Sequence, residues 1–371
     1  MLKYIGWHIQ AKKLLLIHVA GEKFTQTEAK VLMGLMSHQH EPDRTIAEML
    51  GMAPSNFAVV KRRLAERGVL VERPFLDMAR VPDAKIAAFA WIEYNQPVGR
   101  RAGGRVGGAG SGFPTAQAYA GRDWTLDIGY FHTFEEAEGA RLRLSEAIQG
   151  KAKKYVSNHL WKLVPLSHLS IYTFPGRLTR YVFTHKNESM HGLSNADVVE
   201  QVGAGGIQPR LNETEKRVLI ALRKFPGTKR GKIAEMLGIR QGTLSEVAGR
   251  LGAKGIIAAN RMPDLCRLPG REMAAFAWAE FSQPLSKEEY GEVVLEIINS
   301  TPQLYKIYMS RTFLLMISVF HSLDKAEGSN LAMLERFGGN LKSLSLKVVP
   351  TRHMQALHSH LFLEQLFRPA Q

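Results

Sequence analysis

Residues 24–97 of this chain recur as residues 211–284 at a constant offset of 187, without a gap and with 26 identities in 74 positions. Unrelated sequences would share roughly one position in twenty by composition alone. The chain therefore carries two copies of one module, and whatever fold suits one copy must suit the other. The matching blocks are TE at 27–28 and 214–215, IAEMLG at 46–51 and 233–238, AAFAW at 87–91 and 274–278, and QP at 96–97 and 283–284. Beyond them the echo is fainter: FHTFEEAEG at 131–139 returns as FHSLDKAEG at 320–328, and LVPLSH at 163–168 as VVPTRH at 348–353.

The second copy spells out the elements more cleanly. Asn212 is placed to cap a helix, Glu215 stands three residues on, and Val218, Leu219 and Leu222 follow at helical spacing. Pro226-Gly227 ends that helix. A short second helix turns Ile233, Ala234 and Leu237 inward and stops at Gly238, where a left-handed backbone is expected. A third, from near Gln241, carries Leu244, Val247 and Leu251 on one stripe and ends at Gly255. The first copy repeats this with Ile46, Ala47, Leu50 and Gly51, then Phe57, Val60, Leu64 and Gly68. Helix, short helix, glycine turn and helix is the helix-turn-helix pattern. The segments VLVERPFLDMARV and IIAANRMPDLCRL then each read as two short extended stretches around a Pro-containing turn, which suits a wing. MAAFAWAEF at 273–281 predicts a buried strand and SKEEYGEVVLEIINS a Ser-capped helix; KIYMSR and TFLLMISVF predict two strands, 324–337 a helix and 342–350 a last strand.

The expected fold class is thus α+β, as two tandem modules, each a winged helix-turn-helix followed by a ferredoxin-like β-α-β-β-α-β domain, the first copy degenerate. The predicted boundaries are an N-terminal extension 1–23, winged helix-turn-helix 24–82, degenerate α/β domain 83–185, linker 186–210, winged helix-turn-helix 211–269 and α/β domain 270–371. In the first copy VGRRAGGRVGGAGSG at 98–112 stands where a helix is due. Its glycines disfavour a helix by roughly 1 kcal/mol each relative to alanine, so a flexible loop is expected there.

This order of parts resembles the Lrp/AsnC (feast/famine) regulators, and the spacing from Gly238 to Leu251 and Gly255 resembles that family's helix-turn-helix. The resemblance implies a sequence-specific, double-stranded-DNA-binding transcription regulator with no enzymatic activity and no cofactor. The chain departs from the family's Gly-acidic-x-Asp turn, having SRTF at 310–313 and GRDW at 121–124, which puts amino-acid sensing in doubt and leaves a small-molecule effector open. A single chain would supply the two reading heads that family members obtain by dimerising, as a monomer with an internal pseudo-dimer or as a homodimer through the α/β domains.

Residues off the buried stripe of each third helix are the candidate DNA contacts. In the first copy these are Ser55, Asn56, Val59, Lys61, Arg62 and Arg63, with Asn56 suited to adenine, Val59 to a thymine methyl and the basic cluster to phosphates. In the second they are Arg240, Gln241, Thr243, Ser245 and Arg250, with Lys229, Arg230 and Lys232 holding the backbone. Because the two sets differ, two non-identical half-sites are expected. The balance of 49 Lys and Arg against 34 Asp and Glu, a net charge of +15, favours an anionic partner.

Other signals point elsewhere or nowhere. The single Cys266 excludes an intrachain disulfide and a multi-cysteine zinc site, and suits a reducing, cytoplasmic setting. The apolar run Leu14–Val19 is far shorter than the roughly 20 residues of a membrane span. The glycines at 103–112 lack the Gly-Lys-Ser/Thr of a phosphate loop. Of His353, His358 and His360 only His353 has a counterpart, His168, so no metal site is expected. His132 and His321 recur at the end of a predicted strand and read as structural. Two alternatives stay open: an enzyme on the same scaffold, resembling fused sirohaem decarboxylases that use histidine and arginine in the α/β domain, and a plasmid-type replication initiator with tandem winged helices.

Overall fold

The computed structural model describes residues 18–19, 22–39, 41–96, 113–150, 153–184, 199–202, 208–268, 272–301 and 303–367. The expected flexible loop over 98–112 and most of the 186–210 linker lie outside them. In chain order a short hairpin, β1 (His18–Val19) and β2 (Glu22–Lys23), precedes the first helix-turn-helix, α1 (Gln26–Ser37), α2 (Asp43–Met49) and α3 (Pro54–Glu66). Then come β3 (Leu70–Leu76), β4 (Ile86–Tyr94), β5 (Thr115–Ala120), β6 (Trp124–Phe131), α4 (Phe134–Gln149) and β7 (Val156–Pro165). A tail of β8 (Ser170–Thr173) and α5 (Pro175–Thr184) and the strand β9 (Val199–Val202) lead to the second copy. That copy runs α6 (Glu213–Lys224), α7 (Arg230–Leu237), α8 (Gln241–Ala253), β10 (Ile257–Pro263), β11 (Met273–Phe281), α9 (Lys287–Ser300), β12 (Leu304–Ser310), β13 (Phe313–Phe320), α10 (Leu323–Phe337) and β14 (Leu341–Pro350). Its own tail is β15 (Gln355–His358) and α11 (Leu361–Leu366).

The fold is α+β with two helix-turn-helix plus ferredoxin-like modules, and its local causes are those read in the sequence. Thr25 and Asn212 close reciprocal capping boxes with Glu28 and Glu215, which satisfies donors left open at the starts of α1 and α6. Gly238 ends α7 at φ 68°, and Gly68 and Gly255 lie just past α3 and α8 at φ 69° and 70°. The predicted stripes are buried: Phe57, Val60 and Leu64 on α3, and Leu244, Val247 and Leu251 on α8.

The wing is where the sequence reading needs correcting. Instead of a hairpin, each copy gives one strand, and β3 and β10 form a two-stranded ribbon. The cause is a turn after each strand. Asp77 Oδ1 accepts from the Ala79 backbone N–H at 3.0 Å, and Asp264 Oδ1 from Cys266 N–H at 2.9 Å, so the chain bends away before a second strand can pair.

The chain gathers into two compact units that do not follow chain order. One contains 1–72, 171–200 and 259–351, which is the first helix-turn-helix, the tail after the first α/β domain, and the second α/β domain. Its six-stranded sheet has the order β14-β11-β13-β12-β8-β9. Phe174 N–H bonds Tyr305 O at 2.9 Å beside β12, while the Phe24 and Phe183 rings meet at 5.8 Å where α1 lies on α5. Under α9 the core holds Val293, Val294, Ile297, Leu304, Ile307 and Met316.

The other unit contains 73–170, 201–258 and 352–371: the first α/β domain, the second helix-turn-helix and the C-terminal tail. Its sheet runs β15-β5-β6-β4-β7. β4 pairs antiparallel with β6 from Ile86↔Phe131 to Glu93↔Trp124, and β15 adds to the edge of β5 from Gln355↔Ala120 to His358↔Gln117. α4 packs Ala137, Ala140, Leu144 and Ile148 on one face of that sheet.

Candidate functional site

Among the described residues, the helix-turn-helix faces and a cleft in the first α/β domain hold groups suited to chemistry or binding.

On the first helix-turn-helix, Ser55 and Asn56 are exposed in the first turn of α3, and Val59 is 44% exposed. The cations are placed differently from expectation. Lys61 is 17% exposed at its side chain and bridges Asp43 (2.7 Å) and Glu72 (2.6 Å). Arg261 meets the same Asp43 at 2.9 Å. Arg63 faces Glu28 at 3.8 Å beside Arg67 at 3.0 Å, and Arg62 lies 3.9 Å from Glu66 on the surface. Burial alone pushes the Glu28 carboxyl up, but the Thr25 backbone bond and Arg67 outweigh it and hold its pKa below the usual range.

On the second, Arg250 is likewise drawn inward, 3.5 Å from Glu215 and 2.5 Å from Glu246, and Lys254 lies 2.7 Å from Glu215. Lys229, Arg230, Lys232, Arg240, Gln241 and Thr243 remain exposed, and Ser245 is half-buried. Gln241 lies over Gly231, where an added Cβ would sit 3.2 Å from its Oε1.

The cleft has a volume of about 660 Å³ and opens where β4 begins, β6 passes into α4, and β7 ends. That size falls within the roughly 300–1,000 Å³ common for small-molecule sites. Ile86, Pro165, Leu166 and Phe134 give it apolar walls, and Phe134 is 46% exposed. Its polar groups are Lys85, His132, Thr133, Glu135, Ser167 and Gln208. The His132 backbone N–H donates to Glu136 at 3.1 Å, and Thr133 caps α4 through the Glu136 N–H at 3.2 Å, so the backbone that carries His132 is held at the corner between strand and helix. Gln208 Nε2 donates to Ala84 O at 2.9 Å and to Ala79 O at 3.3 Å, which fixes the opposite wall. Sequence reasoning took His132 for a structural residue. Its recurrence as His321 in both copies was the available signal. What could not be read was that Lys85 and Gln208, 47 residues before it and 76 after, reach the same cleft. Among the described residues no group of three or more His, Cys, Asp or Glu side chains is placed to hold a metal. No helix among them is long and apolar enough to cross a membrane.

No protein-family model matches the chain, and no curated protein matches it in sequence. Among solved structures, the sirohaem decarboxylase NirDL aligns over 91% of this chain and 97% of its own, with 13% identity and a TM-score of 0.51. The same enzyme in complex with an iron-uroporphyrin III analogue aligns equally. AsnC of E. coli aligns over 38% of this chain and 93% of its own, at 16% identity and a TM-score of 0.30. That likeness, over most of the chain, is one of fold: the two-module architecture also occurs in a known enzyme. The expectation that the chain has no enzymatic activity is corrected by that match: the solved structure that aligns over 91% of this chain is an enzyme, and the cleft supplies a place for chemistry that the sequence had not revealed.

Proposed function

We propose that the chain is an enzyme that binds a carboxylate-bearing tetrapyrrole and removes carboxyl groups from it as CO2. The cleft around His132 carries this reading. Its apolar walls suit a flat macrocycle, Lys85 suits a peripheral carboxylate, and His132 is placed to hand over a proton. In such a step the bond between the carboxylate carbon and its methylene breaks, CO2 leaves, and the electron pair left on carbon takes the proton from the imidazole, a general-acid role in which histidine is the commonest residue. The likeness to a sirohaem decarboxylase supports the substrate class. Sirohaem mixed with the purified protein is expected to shift its Soret band and to lose carboxyl mass. His132→Ala is expected to bind but turn over at least a hundredfold more slowly, and Lys85→Ala to weaken binding. An unshifted spectrum together with unchanged substrate mass would remove the proposal.

A second reading rests on a separate observation. Lys229, Arg230, Lys232 and Arg240 are exposed with no ion pair among the described residues, at the starts of the bracing and reading helices of a helix-turn-helix. That is where phosphates and base edges meet such a unit in B-form DNA, with Gln241 and Thr243 beside Arg240 for base contact. Retention on a duplex-DNA column that fades with salt is the direct test, and passage through it at low salt rejects the reading.

A further inference from the structure

We infer that the two helix-turn-helix units are functionally unequal: duplex DNA is held by the second alone, while the first is neutralised from within. This rests on the DNA reading above and narrows it to one head.

The two units differ in charge and in how the charge is held. Residues 24–71 contain six Lys and Arg against five Asp and Glu; the matching 211–258 contain ten against four. In the first unit all six cations have internal partners. Lys30 donates to Leu50 O, Arg44 meets Glu48 at 2.9 Å, and Lys61, Arg62, Arg63 and Arg67 hold the acids already described. Asp43 is the centre of this arrangement, because Lys61 and Arg261 both close on it and both are largely buried there. A phosphate approaching α2 would meet that carboxylate in the first helical turn.

In the second unit six of the ten cations are engaged, on Leu237 O, Pro74 O, Glu364, Glu215 and the Phe367 ring. The other four, Lys229, Arg230, Lys232 and Arg240, stand at the N-termini of α7 and α8, and neither helix has an acidic residue in its first turn. A cation there opposes the helix dipole, and a bound anion relieves that opposition. At the matching positions the first unit has Pro42, Asp43, Thr45 and Ala53. A reading helix favours duplex DNA over RNA, since the B-form major groove admits a helix and the A-form groove is too narrow.

The test is the salt dependence of binding to a 30-base-pair duplex by the full-length chain. Four phosphate contacts predict a slope of about −3.6 in log K against log salt, a loss of about 150-fold between 50 and 200 mM. Lys229→Ala, Arg230→Ala, Lys232→Ala and Arg240→Ala should each remove about one unit of slope, and Arg62→Ala well under one. Ala53→Arg and Asp43→Asn, which open the first head, should each tighten binding and steepen the slope. Thermal melting confirms that the exposed substitutions leave the fold intact. A wild-type slope near −7, or an Arg62→Ala loss equal to that of Lys229→Ala, shows two working heads and overturns the asymmetry while sparing the DNA reading. Absence of binding at low salt, or tighter binding to an RNA hairpin of equal length, overturns both.

Discussion

Glu28 and Glu215 occupy the same place in the two copies and show how one side chain can do two jobs. Each caps its first helix through the capping-box bond and then receives two cations from the third, Arg63 and Arg67 in one case, Arg250 and Lys254 in the other. Both carboxylates are 2% exposed, and both are held below their usual pKa because hydrogen bonds and cations outweigh burial. Their stabilisation is therefore full above the unfolded carboxylate pKa, near 4.3, and is lost as pH falls through the lower folded value. Glu215→Gln should cost about 2 kcal/mol at pH 7, since bonds to a charged partner are worth roughly 1.5–3 kcal/mol, and the deficit should shrink towards pH 3. Urea unfolding at the two pH values checks it, and an equal deficit at both would show that the cations contribute nothing. The cap itself was legible in the sequence, because Asn212 and Glu215 stand three apart ahead of an apolar stripe. The pairing with Arg250 was not, since a residue 35 positions away shares no local periodicity with it, and Arg63 and Arg250 accordingly read as DNA contacts.

The same limit appears at the level of elements, in the D-x-x-R turn that follows each wing strand. Asp77 and Arg80 recur as Asp264 and Arg267, with side chains 3.4 and 4.0 Å apart. Each arginine also caps a reading helix: Arg80 donates to Lys254 O at 3.4 Å beside Gly255, and Arg267 to Arg67 O at 3.0 Å beside Gly68. A cation at a helix C-terminus is favourable, and the absence of a Cβ at both glycines leaves the space that each arginine side chain fills. The repeat displayed this motif, yet strand propensity around it predicted a hairpin, because an Asx turn competes with strand continuation in a way no alternation pattern records. Burial pushes the Asp77 carboxyl up to about 6, against its bonds to Ala79 and Arg80. A raised acid binds its proton more tightly in the folded chain, so this group's contribution to stability is greatest below pH 3.8 and falls as pH rises to about 6. The fall amounts to about 3 kcal/mol at 1.36 kcal/mol per pKa unit. Asp77→Asn keeps the acceptor for Ala79 but has no charge to bury, so its stability relative to wild type should improve by about that amount between pH 4 and pH 7. Parallel pH profiles of the two proteins would refute the assignment.

At the scale of the whole molecule, the sequence established that there are two copies but not which pieces pack together. Hydrophobic periodicity shows which face of an element is buried, and two copies with the same periodicity offer interchangeable partners for that face. The observed grouping joins the helix-turn-helix and tail of each copy to the α/β domain of the other. Its clearest marks are β15, paired to β5 from Gln355↔Ala120, and Phe174 bonded to Tyr305 beside β12. Neither sheet is complete within one half of the chain: residues 1–190 lack the strand that borders β5, and residues 199–371 lack β8 beside β12. An unpaired sheet edge is a site for association with another chain. Severing the chain between residues 190 and 199 should therefore give two fragments that co-purify as a one-to-one complex when expressed together and unfold in a single transition. Either fragment expressed alone should be aggregated, or dimeric through the same kind of exchange. A fragment that behaves as a folded monomer in sedimentation, with the thermal stability of the intact chain, would mean that each copy completes its own sheet and that the exchange has no part in holding the molecule together.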